Sequence, residues 1–521
     1  MLFIIENAIF TTKLSPHSST EVSVDEKTID SKPIPVRRRS LVREFCLITS
    51  IHGLPGAARS TNILNFIFWS LSFICFMGFL VYFVVTAIQA YFQYPTKIDV
   101  TYERQYPQYF PAVSICNASP IRYDTFIGAF LNYTYPNNTN NITTISSNDF
   151  SNVFNFLIDA TNKNQLLDSY FFSLTSMLYS CTFNSVPCSA ADFISFTSPT
   201  YGQCYTFNAK LKNSTNSNIR YTNENGGIGV LQLDLYVHSH EYLPYVNDGA
   251  GAVIIVHDNT QVPTIDTSGI FLAPGRKHKL GYKKKVTSFL SSPYTDCTSS
   301  VSDSMKVALE SYNGADYMYS ENLCYEICQQ TYVYQQCGCV SPFLWNSRSV
   351  ILPGTDTIIV APLCNMSNLC FSTATNTLLT SNSQIATYCS DCSQQCLLTN
   401  FIIEISSLKT PLEWQMNYIK AFVENSTVSL ASNWSTAWRE YIYDNYLSVV
   451  VALETITIEN NTQTSVLGVV DIISNIGGQC GLWIGISFLS IFELIEMIYI
   501  LIKREYYLIQ QSRQRKVDVS G

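Results

Sequence analysis

The sequence predicts a membrane protein of mixed α+β, β-rich fold: two transmembrane α-helices joined by a large extracellular domain stapled by disulfides. Three observations predict it. Two stretches without a charged residue, Ser60–Tyr94 and Ile472–Phe492, lie toward opposite ends of the 521-residue chain. Of 17 cysteines, 14 fall between Cys116 and Cys396. Nine Asn-x-Ser/Thr acceptors all lie between the two stretches.

The first stretch carries ILNFIFWSLSFICFMGFLVYFVVTAI, longer than the ~20 apolar residues that cross a hydrocarbon core. A cleaved signal peptide is shorter and sits at the extreme N-terminus, whereas here about 60 mostly polar residues come first. The second stretch is 21 residues long and less greasy, with six Gly and Ser residues after Ser474. The expected organisation is a cytosolic region over 1–60, a first transmembrane helix over 61–90, and an extracellular domain over 91–471. A second transmembrane helix over 472–502 and a cytosolic tail over 503–521 follow.

Both termini are expected in the cytosol. Arg37, Arg38, Arg39, Arg43 and Arg59 precede the first span and Lys503 and Arg504 follow the second, the positive-inside pattern. The acceptors Asn117, Asn132, Asn137, Asn141, Asn213, Asn365, Asn425, Asn433 and Asn460 are absent from both tails. All but Asn117 are taken as glycosylation sites on the outer face. An even number of cysteines in the same segment fits a compartment where disulfides persist, while Cys46, Cys75 and Cys480 are expected as free thiols. The segment Lys97–Asp471 holds 18 basic and 29 acidic residues, a net charge of −11. That suits a face that draws cations and disfavours nucleic-acid binding.

Along the chain, alternating apolar residues around Phe110–Cys116 predict a strand, and residues 130–165, rich in Asn, Thr and Ser, predict a glycosylated excursion. GVLQLDLYVHS, GAVIIVHD and GIFLAPG predict three strands closed by turn residues. Cys324 and Cys328 are four apart, and Cys389, Cys392 and Cys396 three and four apart, spacings that align thiols on a helical face. FIIEIS predicts a strand, followed by a helix and then the run YLSVVVALETITIENN.

Five motifs in order then resemble the degenerin/epithelial sodium channel/acid-sensing ion channel family. They are His52-Gly53 before the first span, FPAVSICN after it, Tyr294 in SPYTDC, DIISNIGGQCGLWIGIS, and at the end of that same run Gly485-Ile486-Ser487, which matches the family's Gly-x-Ser triplet. The match runs in register from about Phe45 to Glu496. The resemblance implies a trimeric channel, a homo- or hetero-trimer with related subunits in membrane lipid. Such a channel would pass sodium without a cofactor and be blocked by amiloride. It also implies the pairs Cys116–Cys204, Cys181–Cys188, Cys297–Cys396, Cys324–Cys392, Cys328–Cys389, Cys337–Cys370 and Cys339–Cys364.

Carried onto this chain, Gly485, Ile486 and Ser487 would form the selectivity filter, where a broken helix exposes carbonyls to the ion. Ser474, Asn475, Gly478 and Gly481 would line the pore and outer vestibule, with Glu493 and Glu496 at its cytosolic end, since ionisable residues within a span are functional by default. His52, Gly53 and Tyr294 would belong to gating. The chain departs from acid-sensing members at Asn475, where they have Asp, so a vestibule charge is missing. Glycines alone would also suit close helix packing.

Acid-sensing relatives use carboxyl pairs between a finger and a thumb, yet Phe371–Ser390 contains no Asp or Glu. Proton gating by that device is therefore not expected. Resemblance to invertebrate members that answer RFamide-like peptides leads to an extracellular peptide ligand, with a constitutive or mechanically coupled channel as the alternative within the family. Aromatic residues of FLNYTY and VFNFLIDATN suit either a peptide groove or ordinary packing. Enzymes are excluded on motif grounds: there is no Gly-x-x-x-x-Gly-Lys, no His-Glu-x-x-His and no Gly-x-Ser-x-Gly, and no metal site is expected. A two-span surface receptor without a pore is the remaining rival, but it has no use for a Gly-rich, Glu-terminated span.

Overall fold

The computed structural model describes residues 41–519 apart from 137–143, 213–218, 223–226, 228, 353–354 and 356. Arg37, Arg38 and Arg39 and the acceptors Asn137, Asn141 and Asn213 lie outside the described residues. The chain forms two compact units, one from the segments up to Ala87 and from Ile473 onward, the other from Ile88 to Ile472.

The first unit is helical. Leu41–Ile48 and Leu54–Arg59 are short helices, so this part of the N-terminal region is folded. Gly53 caps the second of them at φ 89°, a conformation that favours glycine, and Pro55 sits in the first turn, where its missing N–H has no helical partner to lose. Ile63–Phe92 follows without a charge or proline. Its 30 residues give ~45 Å of helix, more than a hydrocarbon core needs. Leu80 is the one buried residue of this helix, as a surface that meets lipid requires. The second apolar segment is not one straight helix. Val469–Ile484 and the helix that starts at Phe488 meet at 70°.

The larger unit is β-rich. Thr96–Arg104, Thr457–Ser465, Arg276–Ser288, Tyr446–Leu453, Val230–Tyr236, Leu178–Phe183 and Val186–Pro187 are neighbours in that order. Leu397–Lys409 pairs antiparallel along the whole of Arg276–Ser288. The opposite edge of that long strand is shared by the other two, Tyr446–Leu453 pairing with Lys277–Tyr282 and Thr457–Ser465 with Lys285–Ser288. A five-stranded sheet runs Ile270–Leu272, Ala252–His257, Ala112–Asn117, Gly202–Phe207, Phe193–Ser198.

The two sheets share one core. Period-2 alternation sends Leu231, Leu233 and Leu235, and Leu447, Val449 and Val451, to meet Phe110, Val113, Ile115, Phe207 and Ile254. Ala112–Asn117 is buried at every position because strands flank it on both sides. The strand Thr96–Arg104 was not expected. Its signal is the alternation Ile98, Val100, Tyr102, all three of which remain more than half exposed.

Two expectations need correction. Residues 150–162, read as part of a polar excursion, form the helix Phe150–Asn162. It packs against Tyr123–Thr134 through Phe126, Phe130 and Val153, so most aromatic residues of FLNYTY and VFNFLIDATN serve packing. Cys389, Cys392 and Cys396 do not share a helical face. The helix Asn382–Tyr388 ends before them, and Cys389 caps it, whereas Cys324 and Cys328 do lie on the helix Glu321–Cys337. Seven disulfides are formed, Cys116–Cys204, Cys181–Cys188, Cys297–Cys396, Cys324–Cys392, Cys328–Cys389, Cys337–Cys370 and Cys339–Cys364. Among the described acceptors Asn132, Asn365, Asn425 and Asn433 are exposed and Asn460 is half-buried in a paired strand. Asn117 is buried and donates to the Val237 carbonyl at 2.9 Å.

One carboxyl in this unit titrates near neutrality. Glu241 is buried and accepts the Asp124 backbone N–H at 2.9 Å. Burial, then the Asp124 charge beside it, push its pKa up to about 7. Asp124 is itself held by the Arg122 guanidinium at 2.7 and 3.1 Å. A carboxyl raised in the folded state stabilises fully below its unfolded pKa, and that stability is lost as pH rises through the folded one. The disulfide-bonded domain is therefore expected to melt at lower temperature at pH 8 than at pH 6. After allowing for solvent screening the loss is at most ~2 kcal/mol. Glu241→Gln should flatten this slope; an unchanged pH profile in that variant would remove Glu241 as its source.

Candidate functional site

The break in the second apolar segment is local chemistry. The helix Val469–Ile484 stops where Gly485 turns to φ 69°, a left-handed conformation that costs other residues ~1–2 kcal/mol. Gly485 N–H still donates to the Gly481 carbonyl at 3.2 Å, but Ile486 N–H reaches back to the Cys480 carbonyl at 3.1 Å. Helical hydrogen bonding resumes through serines. Ser487 N–H donates to Ser490 Oγ at 3.1 Å and Ser490 N–H to Ser487 Oγ at 3.4 Å, so the second helix caps itself on side chains. Gly485-Ile486-Ser487 is thus a stretch of non-helical backbone inside an apolar segment.

The N-terminal segment closes on this break. His52 N–H donates to the Ile484 carbonyl at 2.8 Å, satisfying an orphan acceptor at a helix end. The His52 ring lies so near Gly485 that a Cβ there would sit 2.7 Å from its Cδ2 and Nε2. Ser50 Oγ and Ser490 Oγ are 2.6 Å apart. The Glu493 carboxylate accepts Thr49 Oγ1–H at 3.0 Å and Ser50 N–H at 3.1 Å. Glu493 and Glu496 also line, with Glu44, Phe45, Ile48, Thr49, Met497 and Ile500, a cavity of about 430 Å³.

On the other side of the break, Ser474, Asn475, Gly478 and Gly481 follow one another at helical spacing and are all exposed. A Cβ at Gly478 or Gly481 would meet nothing within 4 Å. Trp483 fixes this half-helix to the first long helix. Its ring stacks on Phe76, Phe79 and Phe83 at 6.0, 5.3 and 5.6 Å, and its Nε1–H donates to Gln479 Oε1 at 2.7 Å. The structure therefore brings His52, Gly53, Gly485, Ser487 and Glu493 into one neighbourhood. Tyr294 lies in the other unit, where its ring meets Tyr94 edge to face at 5.4 Å.

Thr49, Ser50, Tyr94 and Trp483 were not singled out from sequence. For Trp483 a signal existed, because Phe76, Phe79 and Phe83 recur at spacings of three and four on one helix face. Thr49 and Ser50 carry no such mark.

Comparison with known proteins agrees along nearly the whole chain. The family model described as "Amiloride-sensitive sodium channel" matches residues 45–497. Acid-sensing ion channel 1 of Gallus gallus is 27% identical, covering 93% of this chain and 87% of that protein. Degenerin-like protein asic-2 of Caenorhabditis elegans is 24% identical over 88% and 86%, and Acid-sensing ion channel 4 of Homo sapiens 25% over 91% and 82%. With five motifs in register, a disulfide-bonded β-rich domain, and an apolar segment broken at Gly-Ile-Ser beside a His-Gly loop, the conclusion is that this chain belongs to the amiloride-sensitive sodium channel family.

Proposed function

We infer that this chain is one subunit of a trimeric, sodium-selective cation channel of the plasma membrane, blocked by amiloride and opened by an extracellular peptide. Both termini are cytosolic and the bent pair serves as the second span. The observation that carries the reading is the non-helical Gly485-Ile486-Ser487 stretch within an apolar segment. Non-helical backbone is tolerated at membrane depth only where it is buried in protein or lines water. Around a three-fold axis such a stretch supplies a ring of carbonyl and hydroxyl oxygens that replace part of an ion's hydration. Ser474, Asn475, Gly478 and Gly481 then line the wider outer part. Glu493 and Glu496 place carboxylates at the inner end, where negative charge concentrates cations. The exposed row Ile98, Val100 and Tyr102 is apolar surface that subunit association would cover. No cofactor enters; sodium is the permeant ion.

For the gate, support comes from two helices of the larger unit. Several relatives are named acid-sensing, but the helices Leu369–Thr380 and Asn382–Tyr388 carry no carboxylate. His238 and His257 are buried, which pushes both down to about 4 and keeps them neutral. A peptide is then the ligand the resemblance favours. Recording from cells expressing the full chain, with peptides ending in Arg-Phe-amide, acid steps and amiloride applied in turn, tests all parts. The expected result is a peptide-evoked, amiloride-blocked inward sodium current. A current present without any peptide would move the reading to a constitutive channel. Silence under every stimulus despite surface expression would favour a receptor without a pore.

A further inference from the structure

A separate cavity, of about 540 Å³, lies wholly within the larger unit, inside the ~300–1,000 Å³ range of ligand pockets. The charged residues that line it are Arg348, Asp168 and Glu310, and they come from three separate segments. Arg348 stands at the entry to the hairpin of Ser349–Ile351 and Ile358–Val360, and the Ala361 N–H donates to its carbonyl at 2.9 Å. Asp168 opens the helical turn Asp168–Tyr170, and Glu310 opens Glu310–Tyr312. Arg348 is half-buried, and its guanidinium forms no ion pair or hydrogen bond among the described residues. Burial, offset by no carboxylate, holds its pKa below the usual guanidinium range. Asp168 and Glu310 are exposed, and their carboxylates likewise have no partner among the described residues. Leu167, Phe171 and Val307 add an apolar wall.

We propose that this cavity binds a small zwitterion, a free α-amino acid with an apolar side chain, its carboxylate on Arg348 and its ammonium on Asp168 and Glu310. Taking a guanidinium out of water without an anion beside it is destabilising, and its planar fork accepts a carboxylate through two parallel hydrogen bonds. A plain anion drawn to Arg348 would also meet the two carboxylates of the same cavity, and a plain cation drawn to those would meet the guanidinium. A molecule that carries both charges satisfies both, and its apolar side chain has the wall of Leu167, Phe171 and Val307 to bury against. The three charges stand on separately hydrogen-bonded segments, so little ordering remains to be done on binding. None of these residues belongs to the broken apolar segment, so the inference stands apart from the peptide-gated reading.

The test is a titration of the labelled full chain in lipid nanodiscs, followed by microscale thermophoresis. The probes are L-phenylalanine, phenethylamine, which lacks the carboxylate, and 3-phenylpropanoate, which lacks the amine. L-phenylalanine is expected to bind with a Kd about tenfold or more below that of either analogue, the size of one lost charge-assisted hydrogen bond. This ranking is read on the unmodified chain, so it holds whether or not a variant folds. Arg348→Gln should raise the Kd for L-phenylalanine about tenfold and leave that for phenethylamine no weaker. Asp168→Asn/Glu310→Gln should do the mirror image, weakening L-phenylalanine and sparing 3-phenylpropanoate. Three probes with Kd values within about twofold of one another, or no saturable binding of L-phenylalanine up to about 10 mM, would overturn the site. So would Arg348→Gln weakening all three probes alike, because a merely structural role of Arg348 has that signature.

Discussion

Gly485→Ala is expected to reduce current tenfold or more while the protein still reaches the cell surface, and Gly485→Arg to abolish it. The backbone at this position is left-handed at φ 69°, which costs a residue with a Cβ ~1–2 kcal/mol. That penalty alone is survivable. The second penalty decides the outcome, because the new methyl would stand 2.7 Å from two atoms of the His52 ring. Either the ring moves, and the His52 N–H bond to Ile484 at 2.8 Å moves with it, or the break straightens. Both displace Gly485-Ile486-Ser487, the stretch assigned to ion passage. The pairing makes the prediction sharper. His52→Ala removes the ring but keeps the backbone bond, so Gly485→Ala/His52→Ala should recover part of the current lost in Gly485→Ala. A double-mutant cycle reads this coupling directly. Additive losses, or a Gly485→Ala channel with parental current and reversal potential, would show that the break does not depend on His52.

The second large effect is on folding. Cys116 and Cys204 face each other in register across the middle of the five-stranded sheet and are 1% and 0% exposed. Their bond closes a loop of 88 residues, whereas Cys181–Cys188 closes one of 7. On the chain-entropy estimate these are worth about 4.5 and about 2.5 kcal/mol. Against a domain stability of ~5–15 kcal/mol the first loss is a large share. Cys116→Ser also leaves a buried thiol and a buried hydroxyl in a packed interior. Cys116→Ser is expected to cut surface protein severalfold, measured by surface biotinylation, and Cys181→Ser to cut it clearly less. Equal losses in the two variants would show that loop length does not set the ranking.

Much of the fold was legible because short-range periodicity reports burial. Leu231, Leu233 and Leu235 alternate with Gln232 and Asp234, and that period of two is the period of a strand with one face in the core. The charge-free run before Tyr94 is likewise a direct statement about solvent, since no aqueous surface needs it. Misreadings occurred where local pattern and tertiary context part. The spacing of Cys389, Cys392 and Cys396 suits a helix, but the helix stops at Tyr388; thiols need only proximity across a disulfide, which turns supply equally well. Phe150–Asn162 lies in an Asn- and Thr-rich region, yet its apolar residues pack on Phe126 and Phe130, and packing overrides composition.

The candidate site divides along the same line. Gly485-Ile486-Ser487 and His52-Gly53 could be picked out as motifs, because glycine and small polar residues inside an apolar run are conspicuous against their surroundings. That His52 sits on Gly485, that Thr49 and Ser50 hold Glu493, and that Trp483 stacks on Phe76, Phe79 and Phe83 was decided only by the tertiary structure. His52 and Gly485 are more than 400 residues apart, and no local periodicity carries information over that distance. Sequence by itself determined which segments are apolar, which alternate and where the backbone can break, since those depend on each residue's own solvation and conformational freedom. Which of these segments meet depends on the simultaneous burial of all of them, and that is a property of the folded chain alone.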